Sequence, residues 1–125
     1  MCKEDEIELS TYQYGIVTSP NYPQWTPNTN CMLRLKGPND KTIRVYITDL
    51  NTEMQDSTNA GTCRLGYLTL KSGTDSKTYC GDKLQNGDYV FLSCTNTIEI
   101  IYASSSIVST AYRGFNLYYE GFILI

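Results

Sequence analysis

The chain has 125 residues and a mass of 14.1 kDa, with 13 acidic side chains, 10 basic ones and no histidine. The cations are scattered singly, which excludes the clustered basic footprint of a nucleic-acid binder. The longest apolar run, Phe122-Ile123-Leu124-Ile125, is far short of the roughly 20 residues a membrane-spanning helix needs, so neither nucleic acid nor membrane insertion is expected.

A chain of this length reads as one domain, residues 1–125, able to bury roughly two-thirds of its unfolded surface. Residues 1–10 form an acidic N-terminal segment in which Glu4, Asp5, Glu6 and Glu8 crowd together. No leader is visible behind Met1, so the chain reads as a mature or excised domain. The stretch "YGIVTSPNYPQWTPNTNC", residues 14–31, is too rich in proline and asparagine for a helix. Beyond it come runs with period-two alternation. Met32 to Lys36 is the first; Thr42 to Leu50 then carries Ile43, Val45 and Ile47 on one parity, and Gly66 to Lys71 carries Leu68 and Leu70. Asp88 to Leu92 follows, then Thr97 to Ala103 with Ile98, Ile100 and Tyr102 on one face, and Gly114 to Tyr119 with Phe115, Leu117 and Tyr119. Gly37-Pro38-Asn39-Asp40, Lys71-Ser72-Gly73 and Asn86-Gly87-Asp88 supply turn chemistry between them. Six or more short strands predict an all-β, antiparallel sandwich. Residues 121–125 read as an apolar C-terminal tail or linker.

The 5 cysteines include no C-x-x-C pair, and without histidine they do not suit a structural zinc site. Disulfides in an oxidising, extracellular compartment are the reading adopted over buried thiols. The 11 tyrosines suit half-buried strand positions with the hydroxyl in water. Tyr118 and Tyr119 are strand neighbours, so their rings point to opposite faces. Tyr118, with Trp25 and Tyr22, marks the candidate binding face. No nucleophile–histidine pair can be assembled, and Asp49, Glu53 and Asp56, the acids closest together beyond the N-terminal run, read as a solvated loop. The chain itself is expected to be no enzyme and to need no cofactor.

"Gly15-Ile16-Val17-Thr18-Ser19-Pro20-Asn21-Tyr22-Pro23", with Pro27 and Asn28 ahead of Cys31, resembles the signature of the CUB domain, an extracellular β-sandwich module. Leu33 and Leu35, "Val45-Tyr46-Ile47-Thr48-Asp49-Leu50-Asn51-Thr52-Glu53", Cys63 with Cys80-Gly81, and "Arg113-Gly114-Phe115-Asn116-Leu117-Tyr118-Tyr119" extend the resemblance along nearly the whole chain.

The resemblance implies a jelly-roll-like sandwich stapled by Cys2–Cys31 and Cys63–Cys80. Cys94 is left over. An unbroken strand back from Ile98 would turn its thiol into the core; a turn at Thr95-Asn96 would leave it at the surface, unpaired or linked to another molecule; and the pairing could be rearranged. The resemblance also implies three calcium-binding acids. Glu53 matches the first, but Gly66 and Ser105 stand where two aspartates are expected. Calcium takes about six to eight oxygens with several carboxylates, so no functional metal site is expected. The implied function is a non-catalytic protein–protein interaction module of a secreted or cell-surface multidomain protein, beside a protease domain in some architectures, with another extracellular protein or a neighbouring domain as partner. The alternative is a carbohydrate-binding, adhesin-like domain. A homodimer through Cys94 or residues 121–125 is a further option.

Overall fold

The computed structural model describes residues 5–9, 14–39, 41–52, 63, 66–82, 84, 86–106 and 111–123. Among the described residues nine strands run in chain order: β1 (Asp5–Glu8), β2 (Tyr14–Thr18), β3 (Asn30–Lys36), β4 (Lys41–Asn51), β5 (Tyr67–Ser72), β6 (Asp75–Tyr79), β7 (Asp88–Leu92), β8 (Thr97–Ala103) and β9 (Gly114–Ile123). They form a five-stranded sheet, β1-β3-β8-β5-β6, facing a four-stranded sheet, β2-β9-β4-β7. No helix occurs among the described residues.

Alternation explains the layering. Leu33 and Leu35 of β3, Leu68 and Leu70 of β5, and Ile98, Ile100 and Tyr102 of β8 pack against Ile43, Val45 and Ile47 of β4 and Phe115, Leu117 and Tyr119 of β9. Burying such a side chain contributes about 1.5–3 kcal/mol, so this interlayer core dominates stability. The expected parities of β3, β4, β5, β8 and β9 hold over their apolar stretches.

Four features depart from the sequence reading or extend it. The acidic N-terminal segment contributes β1, which pairs with β3 in parallel, so the sandwich is not purely antiparallel. The hairpin strand β6 is exposed at Asp75, Ser76, Lys77 and Thr78, and without an apolar parity it left no periodic trace. Gly121 to Ile123, expected as a tail, continue β9 opposite Lys41 to Ile43 of β4; Leu124 and Ile125 lie outside the described residues. Of the two expected disulfides the structure describes one, Cys63–Cys80. Cys31 is itself disulfide-bonded, but Cys2, its expected partner, lies outside the described residues.

Two bulges break the period of two in the four-stranded sheet. Between Ile47 and Asp49 the β4–β9 register shifts by one residue, so Ile47 faces Leu117 and Asp49 faces Asn116. Simple alternation from Ile47 would send Asp49 into the core; the extra residue, Thr48, turns it outward and brings Leu50 in, fully buried. The β4–β7 register shifts likewise between Val45 and Tyr46, whose partners are Phe91 and Tyr89 with Val90 passed over. Phe91 stays in the core while Tyr89 is thrown to the outer face.

Candidate interaction face and acidic corner

The outer face of the four-stranded sheet is built in rows that cross every strand. Cross-strand pairing aligns Ile16, Tyr118, Tyr46 and Tyr89 in one row. The adjacent row is Tyr14, Glu120, Arg44 and Leu92. Successive strands lie about 4.8 Å apart and same-face rows about 6.8 Å, so the eight side chains form one compact patch. Its flanks are open: Tyr14 is 69% exposed, Ile16 66%, Tyr89 52% and Leu92 39%.

Aromatic contacts tie the patch together. Ring centroids lie 6.1 Å apart for Tyr14–Tyr118, 5.7 Å for Tyr46–Tyr118 and 5.7 Å for Tyr46–Tyr89. The Arg44 guanidinium sits 5.5 Å from the Tyr89 ring centroid, within cation–π range. At the centre Arg44 Nη1 donates to Glu120 Oε1 at 3.4 Å and to the Tyr46 hydroxyl at 3.2 Å. The Tyr46 hydroxyl in turn donates to Glu120 Oε1 at 3.1 Å. The patch is therefore electrically neutral, with one cation and one anion on adjacent strands.

Above it, where the "SPNYP" turn meets the sheet, lies an acidic corner. Asn21 and Asn28 adopt φ of 59° and 57°, the left-handed region that asparagine tolerates. The turn is tied to β9 by Ser19, whose N–H donates to the Phe115 carbonyl at 3.1 Å and whose hydroxyl accepts from Phe115 N–H at 3.0 Å. This places the Tyr22 hydroxyl on Asp49 Oδ2, donating at 2.5 Å. Arg113 grips the same carboxylate with two donors, Nε to Oδ2 at 2.9 Å and Nη2 to Oδ1 at 2.8 Å. The guanidinium holds the Asp49 carboxyl below its usual range, outweighing burial, with the Tyr22 bond acting in the same direction. Burial and the neighbouring carboxylate push the Tyr22 hydroxyl up.

Tyr118 lies on the outer face. Tyr22 is half-buried in the corner. Trp25, expected on the same face as Tyr118, is instead withdrawn from solvent: it is only 9% exposed, 6.4 Å from Tyr102 and 5.2 Å from Tyr112 between ring centroids, because the loop folds its apolar body back over the end of the core. Asp49 is ion-paired rather than loop-borne; Glu53 and Asp56 lie outside the described residues. Gly66 is buried and Ser105 half-buried. Among the described residues no His, Cys, Asp and Glu cluster of three or more could hold a metal. Cys94 is free and exposed, since residues 94–96 bend before β8 begins; its thiol donates to the Ser72 carbonyl at 2.8 Å.

Tyr14, Ile16, Arg44, Tyr46, Tyr89, Leu92 and Glu120 are not marked as a site by the sequence. Only the alternation of Tyr14 and Ile16 against buried Val17 hinted at an apolar pair facing out. The rest depends on cross-strand register.

A family model described as CUB domain matches residues 2–119. A cubilin homolog from Caenorhabditis elegans is 38% identical over 80 residues, which take in 62% of this chain and 2% of that protein. Blastula protease 10 from Paracentrotus lividus is 29% identical over 126 residues, 98% of this chain and 19% of the relative. The structure titled full extracellular region of zebrafish Gpr126/Adgrg6 superposes with a TM-score of 0.76 at 23% identity, covering 95% of this chain and 15% of that one; this likeness is one of fold. The chain thus spans less than a fifth of each of these proteins.

Proposed function

The chain belongs to the CUB domain family, and from that premise we propose that it is a non-catalytic, protein-binding module of a secreted or cell-surface multidomain protein. The observation that carries the reading is the two-row outer face. Tyrosine and arginine are enriched at interface hot spots, and here they surround a central ion pair while Tyr14, Ile16 and Tyr89 remain more than half exposed on the flanks, leaving apolar surface open to a partner. Absence of histidine from the sequence removes the usual base for a serine or cysteine nucleophile, and a relative named as a protease aligns with this chain over only 19% of its own length. Both support a role in binding rather than chemistry.

The test is capture from extracellular fluid by the immobilised chain, run beside a glycan array, for the wild type and for Tyr46→Ser/Tyr118→Ser. The expected result is a protein retained by the wild type and lost by the variant, with no glycan bound. Retention by both proteins would overturn the face; a glycan bound by the wild type alone would move the reading to an adhesin-like domain.

A further inference from the structure

The outer patch is complementary to itself. Glu120 and Arg44 are the middle members of their row, on adjacent strands β9 and β4, with Tyr14 on one flank and Leu92 on the other. A two-fold axis lying between two such faces, parallel to the strands and passing between β9 and β4, sets β9 of each copy over β4 of the other. Glu120 then meets the second copy's Arg44, and Arg44 meets its Glu120, giving two ion pairs across the interface. The same rotation sets Tyr14 against Leu92, Ile16 against Tyr89, and Tyr118 against Tyr46. Every apolar side chain meets an apolar one and every charge its opposite.

We propose that the outer face of the four-stranded sheet binds a second copy of this chain, as an isologous, face-to-face dimer centred on Arg44 and Glu120. This rests on the reading of that face as the interaction surface and names its occupant. Isologous contact requires self-complementarity, and a neutral patch with one central cation and one anion supplies it; a strongly charged foreign partner would gain no net attraction there. Two sheets packed with strand directions aligned to about 30° can interdigitate two rows of side chains. The site is compact against the roughly 800 Å² per partner of a standard interface, so the association is weak and concentration-dependent. Arg44 and Glu120 have side chains 38% and 35% exposed and can exchange their own pairing for the cross-interface one.

The test is sedimentation equilibrium in a Cys94→Ser background, so that no thiol can link copies, up to about 1 mM, a concentration that reveals even weak association. The mass is expected to climb toward twice the 14.1 kDa of the monomer. Arg44→Glu and Glu120→Arg each place like charges across the axis and should remain monomeric. Mixed in equal amounts they should form a heterodimer, because the two acids of the first variant then face the two guanidinium groups of the second. Ile16→Glu, at an exposed position, should also be monomeric and serves if a charge variant fails to fold. A wild type that stays monomeric throughout, single variants that dimerise like the wild type, or a mixture that does not associate would each overturn the proposal. Capture of an extracellular protein by a monomeric wild type would leave the interaction reading standing while removing self-association.

Discussion

Asp49→Asn removes one negative charge and almost no volume from the acidic corner. The carboxylate accepts two bonds from Arg113, at 2.9 and 2.8 Å, and one from the Tyr22 hydroxyl; an amide can satisfy only part of that set and adds a donor facing a guanidinium. Bonds to charged groups contribute about 1.5–3 kcal/mol when shielded from water. Asp49 is 15% exposed but Arg113 is 39%, so screening reduces the expected loss to about 1–2 kcal/mol. An unfolding entropy of about 0.26 kcal/mol/K for a chain of this length converts that to a melting temperature lower by about 4–8 °C. The loss should carry a pH signature. Because the folded carboxyl titrates below the ordinary value of 3.8, its stabilisation is complete above that value and disappears as pH falls through the folded one. Thermal melts of both proteins at pH 7 should differ by the full amount, and the curves should converge below about pH 4, the ordinary carboxylate range. A gap that persists undiminished at pH 2, or is absent at pH 7, would refute the assignment of that energy to the ion pair.

Gly114 has φ of +95° and an added Cβ would fall on Ser19 Oγ, so Gly114→Ala should destabilise by about 2 kcal/mol or more, measured as a lower urea midpoint with an unchanged slope. Replacing both Cys63 and Cys80 by serine opens a cross-link of sequence separation 17 and should cost about 3 kcal/mol, read from denaturant unfolding of the two forms. Calcium at millimolar concentration should leave the melting temperature nearly unchanged, since Gly66 and Ser105 bring no charge; saturation to 100 times a dissociation constant would add about 2.7 kcal/mol, and a rise of several degrees abolished by Glu53→Ala would contradict this.

The sandwich was legible because its core strands write their burial into the sequence: Ile98, Ile100 and Tyr102, or Phe115, Leu117 and Tyr119, recur on one parity, even though Ile101 and Tyr118 on the other parity are not strongly polar. Strands β1 and β6 were not, since Asp5–Glu8 and Asp75–Tyr79 are mostly polar and owe their conformation to the strands beside them. Trp25 misled because its proline-rich surroundings suggest a surface loop, whereas a large apolar ring folds back wherever the loop lets it reach the core. Tyr118 was found by parity alone. Its companions were hidden: Tyr89 shares parity with Phe91 and reads as an inward residue until Val90 is passed over in pairing. Asp49 is hidden in the same way, continuing the inward parity of Ile43, Val45 and Ile47 until Thr48 is inserted. Pairing register across strands is long-range information, and alternation within one strand does not contain it.

The two bulges also bear on how this sheet can vary. In a regular strand, insertion or deletion of one residue exchanges the inner and outer sets wholesale, so length changes are ruinous and only substitutions are tolerated. Here only Asp49–Asn51 of β4 lie beyond Thr48 and only Asp88–Tyr89 of β7 beyond Val90, so such a change is confined to two or three residues while the rest of the interlayer core stays in phase. Single-residue length variation at these two points would let the binding surface be rewritten without the fold being renegotiated, by a route that point substitution cannot follow.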